Sequence, residues 1–370
     1  MKPQYIHLRE DWPSFRWADT AVLPPLAETR HAQGRLLGRM EGMGFGLRGE
    51  ADLAVMTAEV VQSSAIEGER LSRREVRSSL ARRLGLDIGG VAPTSRAVEG
   101  VVEMMLDATR KYNEALTEAR LFDWHAALFP TGRSGMRKLA VGAWRPPEAD
   151  PMQVVSGPLG RERVHYEAPT ATRLPGEMKA FLDWFNAGHA ADPVIKAALS
   201  HFWFVTIHPF EDGNGRIARA IADMALARAD GMAQRFYSMS AQIETERDDY
   251  YDTLERSQKG DMDITNWIKW FLACLGRSLD RAEETLSAVL RKARVWRQVG
   301  ALGVNARQRK VVNRLLDGFQ GPLTSSKYAK LTHVSPDTAL RDIGDLLQRG
   351  VLVRNPGGGR AVSYRLAEPE

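Results

Sequence analysis

His208-Pro209-Phe210-Glu211-Asp212-Gly213-Asn214-Gly215-Arg216-Ile217-Ala218-Arg219 is the stretch that decides how this chain is read. Ahead of it, residues 193–207 are strongly apolar and read as a buried central helix. Behind it, a helical pattern runs from about 214 to 229 and is closed by Gly231. The short loop between holds an acid and glycines, and glycine lets a backbone turn tightly and approach a ligand closely. The N-terminus of the following helix offers free N–H groups to an anion. Arg216 and Arg219, three apart, project from one side of its first turn. Cations there oppose the helix dipole unless an anion is expected. Asp212 is a hard oxygen donor suited to Mg²⁺, and His208 is the one residue here able to take a proton near neutral pH. A base, a metal ligand and an anion cradle together point to phosphoryl or nucleotidyl transfer. Each part alone says little: the Gly-x-Gly is neither a Walker A loop nor a dinucleotide fingerprint. His201 lies about two turns before His208 on one face, so a metal site is conceivable there, but no third ligand is evident.

Outward from this stretch, helical spacing dominates. The pattern predicts helices over 21–43, with Leu23, Leu26, Leu36, Leu37 and Met40 inward, and over 51–66, ended by Gly68. Residues 95–128 read as one or two helices, 175–186 as a helix with Met178, Phe181, Leu182 and Phe185 inward, and 263–299 as helix again. Residues 131–142 are glycine-rich and broken. Residues 152–168 are β-prone on either side of Gly157-Pro158-Leu159-Gly160 and predict a hairpin. The last segment differs: helices at 308–316, 324–331 and 335–349, the third capped by Ser335, then short strands at 351–353 and 362–366 around a turn at 355–359. Helix, helix, helix, hairpin is the order of a winged helix-turn-helix. The glycine pair Gly89-Gly90 reads as a turn.

The 370 residues are more than one core usually serves. The composition, 44% hydrophobic and 26% charged, is that of a soluble globular protein. With no long apolar run and no signal-peptide core at the start, the expectation is a cytoplasmic protein with no membrane partner. A single cysteine, Cys274, set in an apolar helical stretch, excludes an internal disulfide framework and reads as a buried thiol. The net charge of +5 weakly favours an anionic partner such as a nucleotide or nucleic acid.

The stretch 208–219 resembles the motif of the Fic family, His-x-Phe-x-[Asp/Glu]-Gly-Asn-Gly-Arg-x-x-Arg, at every fixed position. The surroundings agree: 193–207, 152–168 and 175–186 are similar to the central helix, flap and neighbouring helix of Fic domains, over roughly residues 92–275. Residues 12–44, with Arg30, Gln33, Gly34 and Gly38, resemble the extra N-terminal helical region of one subgroup, in which a C-terminal winged helix is also common. The implied architecture is mainly α: a Fic-type helical core with a small β-hairpin flap, plus a C-terminal winged helix-turn-helix. Its expected parts are a helical region at 1–91 bearing an inhibitory helix, the core at 92–275, a helical connector at 276–300 and the winged helix at 301–370.

The resemblance also implies roles. His208 is the base that deprotonates a target hydroxyl, and Phe210 anchors the loop. Asp212 is the ligand of Mg²⁺ (or Mn²⁺). Gly213, Asn214 and Gly215 cradle the α- and β-phosphates of ATP through their amides. Arg216 stabilises charge on the phosphates, and Arg219 holds the γ-phosphate. Tyr250 and Tyr251 match the paired tyrosines near the adenine pocket, and Gln258 stands near a polar contact to the base. The strand around Val154 resembles the one that holds a target segment by backbone pairing. The implied activity is transfer of AMP from ATP to a Ser, Thr or Tyr hydroxyl of a target protein or of the chain itself. Ser63-Ser64-Ala65-Ile66-Glu67-Gly68 resembles the family's inhibitory motif, with Ser63 and Glu67 on one helix face and Glu67 set against Arg219. The same glutamate would also permit removal of AMP by orienting a water. Pairing of two copies, common in the family, stays open. So does DNA binding through 301–370, where Arg341, Arg349, Arg354 and Arg360 favour it and Asp337, Asp342 and Asp345 dilute the charge.

Overall fold

The computed structural model describes residues 5–86, 93–157, 161–188, 191–300, 303–316, 319, 321–356 and 362–367. The turns expected at 89–90, at 158–160 and at 357–359 lie outside these residues. The chain divides after Glu283 into two compact units. The first holds α1 (Asp19–Glu41), α2 (Phe45–Ile66), α3 (Arg73–Leu84), α4 (Arg96–Arg110), α5 (Glu118–Leu128), the two-residue strands β1 (Arg133–Ser134) and β2 (Arg137–Lys138), the hairpin β3 (Gln153–Ser156) and β4 (Arg163–Glu167), α6 (Leu174–Asn186), α7 (Pro193–Ile207), α8 (Asn214–Asp230), α9 (Met239–Thr245), α10 (Arg247–Gln258) and most of α11 (Thr265–Gly300). Both sheets are antiparallel pairs. The fold is mainly helical, with few and small strand pairs.

Asp192 accepts a hydrogen bond from Val194 N–H and Pro193 takes the first helical position, so the apolar run begins as α7. Nearly every side chain of α7 is buried, and α8 packs along it. Trp267 of α11 closes another side, donating to Ala198 O at 2.8 Å. Cys274 is a buried free thiol. The helices differ from expectation in three places. Leu23 is 55% exposed: the inward face of α1 runs Val22, Leu26, Thr29, Gln33, Leu36 and Met40, so Leu23 stands about 100° off it. α2 starts at Phe45, behind an extended Gly44. α3 and the pair α9–α10 were not anticipated. The α3 sequence is dominated by arginine, which blurs its apolar period, although Ser72 caps its start and a left-handed Gly85 ends it.

The second unit carries α12 (Ala306–Leu316), α13 (Ser325–Thr332), α14 (Pro336–Gln348), β5 (Leu352–Arg354) and β6 (Tyr364–Leu366). Ser335 caps α14 by accepting from Thr338 N–H. Leu323 bridges antiparallel to Tyr364, adding one residue to the β5–β6 pair. Its core gathers Val311, Val312, Leu323, Tyr328, Ile343, Leu346 and Leu352. Among the described residues no helix is long and apolar enough to cross a membrane.

Candidate active site

The loop between α7 and α8 is fixed by its own residues. His208 ends α7 in the left-handed region (φ 51°) while its N–H closes on Phe204 O at 3.0 Å. Phe210 is fully buried and stacks on His125 with ring centroids 4.2 Å apart. The Asn214 side chain clasps the Phe210 backbone from both sides, accepting from its N–H at 2.9 Å and donating to its C=O at 2.8 Å. Gly213 caps α8 at φ 80°, and a Cβ there would lie 3.0 Å from the Phe129 ring, so conformation and space both ask for glycine. The helical ladder of α8 starts at Ile217 N–H to Gly213 O (3.0 Å). The amides of Asn214, Gly215 and Arg216 therefore stand ahead of it, the arrangement that receives an anion.

Desolvation pushes the pKa of His208 down to about 4, although the residue keeps part of its surface exposed. The imidazole is thus neutral at physiological pH. With Nδ1 donating to Val205 O at 3.3 Å, Nε2 keeps its lone pair free for a proton. The backbone beside it is held by a residue that sequence reasoning missed. Arg145, fully buried, donates from Nε to His208 O at 2.9 Å and receives Pro209 O on its own N–H at 2.9 Å. Its other nitrogens reach Asp150, before β3, at 2.5 Å and Pro169 O, after β4. One guanidinium therefore ties the catalytic loop to both feet of the β3–β4 hairpin. Nothing in the local sequence distinguishes it from a surface arginine.

Asp212 turns one carboxylate oxygen to Gly213 N–H at 2.5 Å and the other to the hydroxyl of Ser134, which the β1–β2 ladder brings from 78 positions away. Glu211 faces elsewhere, to Arg137 (2.7 Å) and Ala140 N–H (2.7 Å). No cluster of three or more His, Cys, Asp or Glu able to hold a metal stands among the described residues. His201 instead shares a hydrogen bond with the Tyr250 hydroxyl at 2.9 Å. A single carboxylate beside an anion cradle is a donor set that fits Mg²⁺, which keeps several waters and shares phosphate oxygens.

Helix α2 lies against α8 and meets it residue by residue. Glu59 stands against Asp223, and burial and that neighbouring carboxyl push the Asp223 pKa well above the usual carboxylate range. One turn on, Ser63 accepts from Arg219 Nε at 2.9 Å through its hydroxyl and from Nη2 at 2.7 Å through its carbonyl. A further turn on, Glu67 Oε1 is 2.9 Å from Arg219 Nη1 and only 2.0 Å from where a Cβ on Gly215 would be. The end of α2 thus projects a carboxylate into the cradle itself. Past Gly68, at φ 82°, Glu69 reaches Arg216 Nη1 at 2.7 Å. The sequence reading passed over Glu69, although its place two residues after Glu67 was visible.

The remaining candidates all lie on or near α10 and the hairpin. Tyr250 is buried, and Tyr251 leans on it at 4.9 Å while its hydroxyl reaches Ile66 O at 3.4 Å. Gln258 is buried and donates to the Thr206 hydroxyl at 3.2 Å. Val154 sits on β3 opposite Tyr166, half-buried against Tyr5 and Tyr166. Among the described residues, β3 pairs with β4 on one side only.

Residues 115–226 match the Fic/DOC family, and residues 5–86 match a domain of unknown function, DUF4172. Among curated proteins, the chain is 26% identical over 258 residues to a protein adenylyltransferase Fic of Culex quinquefasciatus, covering 66% of this chain and 45% of that protein. It is 36% identical over 114 residues to one of Nematostella vectensis, covering 30% and 25%. The matches thus span less than half the length of these relatives. Among solved structures, a Fic family protein from Desulfovibrio desulfuricans superposes with a TM-score of 0.54 at 21% identity, covering 95% of this chain and 97% of that one. A Fic domain containing signaling protein from Bacteroides thetaiotaomicron gives 0.52 at 19%, covering 69% and 96%. These likenesses show the fold.

Proposed function

The chain carries a Fic/DOC-family domain at residues 115–226, and on that premise we propose that it is a protein adenylyltransferase held in check by its own helix α2. The carrying observation is the convergence, at the start of α8, of a neutral His208, amides ahead of the helical ladder and two buried arginines, one of which faces Glu67 at 2.9 Å. ATP lays its phosphates along the start of α8, where the amides of Asn214, Gly215 and Arg216 stand ahead of the helical ladder, with the Arg216 and Arg219 side chains taking their charge. Asp212 would hold Mg²⁺, which would supply charge neutralisation beside the phosphates. His208 Nε2 takes the proton of a Ser, Thr or Tyr hydroxyl. The freed oxygen bonds to the α-phosphorus, and the bond from that phosphorus to the bridging oxygen breaks as pyrophosphate leaves. The free edge of β3 around Val154 supports backbone pairing with the target segment, and Tyr250, Tyr251 and Gln258 border the base. Glu67 on Arg219 occupies the charge meant for the third phosphate and leaves the α-phosphate out of line.

The test uses ATP radiolabelled at the α-phosphate, with Mg²⁺ and cell extract as a source of targets. It compares the native chain, Glu67→Gly, and Glu67→Gly with His208→Ala. Label on protein that rises with Glu67→Gly and vanishes with His208→Ala supports transfer, base and brake together. No label in any sample would sink the transferase reading and favour AMP removal.

A second reading concerns the last segment. Residues 301–370 hold 11 Lys and Arg against 6 Asp and Glu, an excess equal to that of the whole chain, 51 against 46. We propose that this unit is a winged helix that meets duplex DNA. Asp342 and Asp345, which dilute the charge in the sequence, are committed internally to Arg307, Tyr328, Gln308 and Arg349. Affinity for duplex DNA that falls steeply with salt supports the reading; salt-independent or absent binding refutes it.

A further inference from the structure

The segment Glu67-Gly68-Glu69 presents two carboxylates to two arginines that stand three residues, or about 4.5 Å, apart along α8. Gly68 at φ 82° turns the chain between them, and Glu69 N–H is tied to Ser64 O at 3.0 Å, which fixes the turn. The cations are rigid: the side chains of Arg216 and Arg219 are 3% and 2% exposed, and Arg216 also lies 5.1 Å above the Phe129 ring. The anions are the movable part, since Glu69 is 46% and Glu67 30% exposed. Among the described residues, Arg216 Nε is buried with no hydrogen-bond partner, so this guanidinium has donor capacity that Glu69 does not use. A cation whose partner is a rim carboxylate and whose remaining donor is buried is arranged to exchange that carboxylate for an anion with more acceptor oxygens.

We propose that Glu69 is a second inhibitory residue with its own target: on Arg216 it competes with the phosphates that a nucleoside diphosphate and a triphosphate share, whereas Glu67, on Arg219 and beside Gly215, adds competition with the third phosphate. This rests on the nucleotide-binding reading given above. The two glutamates together imitate a polyphosphate, one charge to each arginine. Their effects then separate by ligand. Glu69 lowers the affinity of the site for ADP and for ATP alike, and Glu67 lowers it more for ATP than for ADP.

Calorimetric titration of the full chain with ADP and with a non-hydrolysable ATP analogue, each with Mg²⁺, tests this without any turnover. Glu69→Gln tightens both ligands by roughly five-fold, the scale of a half-exposed ion pair. Glu69→Ala gives the same shift with the side chain shortened, which guards against an effect of the amide. Glu67→Gln tightens the ATP analogue more than it tightens ADP. The proposal is overturned if both Glu69 variants bind ADP like the native chain while the ATP analogue responds to Glu67→Gln. Equal tightening of ADP by Glu67→Gln overturns the division of labour. Binding of neither nucleotide by any variant overturns the nucleotide reading, and this proposal with it.

Discussion

Helices α8 and α14 make an instructive pair, because both carry charged side chains and satisfy them in opposite ways. In α14, Asp345 meets Arg349 one turn on, and Asp342 meets Arg307 from 35 residues earlier in the same unit. The charges there are consumed by the scaffold. In α8, Arg216 finds Glu69 147 residues away and Arg219 finds Ser63 156 residues away, both on a segment outside the catalytic loop. Glu69 reaches in from the rim and Ser63 from the buried face of α2, and part of each cation's donor capacity is left unused. A charge matched by neighbours builds structure, and a charge matched by a movable distant segment is held ready for something else.

That contrast can be broken at several strengths. The largest effect falls on the distant partner: Glu67→Gly raises AMP transfer by about 10²-fold, the scale of correcting a misplaced reactant, read as label on protein from α-labelled ATP. Next comes the clamp beside the site. Arg145→Ala leaves Asp150 and two carbonyls without their buried donor, and lowers unfolding free energy by about 3–5 kcal/mol in denaturant titration.

Acid acts through the buried histidines. His7, His125 and His208 have pKa values pushed down to about 4 and His201 to about 3, all mainly by burial, against 6.5 when unfolded. The unfolded chain binds their protons first, so stability is full above pH 6.5 and declines as pH falls toward 4. Melting temperatures measured across that window check the sign; a flat curve would contradict it. The same shift puts the acid limb of kcat/KM for His208 near pH 4 rather than 6.5. On the scaffold helix, Asp342→Ala strands the Tyr328 hydroxyl and Arg307 and costs about 1–3 kcal/mol. Arg349→Ala, at the exposed end of α14, leaves the melting temperature unchanged.

The loop 208–219 was legible because its signals are local. A proline-started apolar helix, a glycine at a left-handed cap and an asparagine that clasps the backbone four residues before it act over a few positions. The helices with a clear apolar period were legible for the same reason. α3 was not, since arginine-rich stretches hide their period; on α1, Leu26, Leu36 and Met40 lie inward as expected, but Val22 rather than Leu23 points to the core. At the site, the pairing of Glu67 with Arg219 was expected through a resemblance, and the two charged groups stand 2.9 Å apart.

By itself the sequence determined the kinds of groups available: one histidine at a helix end, amides ahead of a helix, two arginines on its first turn and a carboxylate motif upstream. Only the tertiary structure decided which of them meet. It brought Ser134 to Asp212 through a two-residue ladder, buried Arg145 under the His208 backbone, and turned Glu69 onto Arg216. The reason is physical: a cap or a turn depends on torsions and hydrogen bonds within a few residues. An ion pair across 147 residues depends on where two packed helices come to rest.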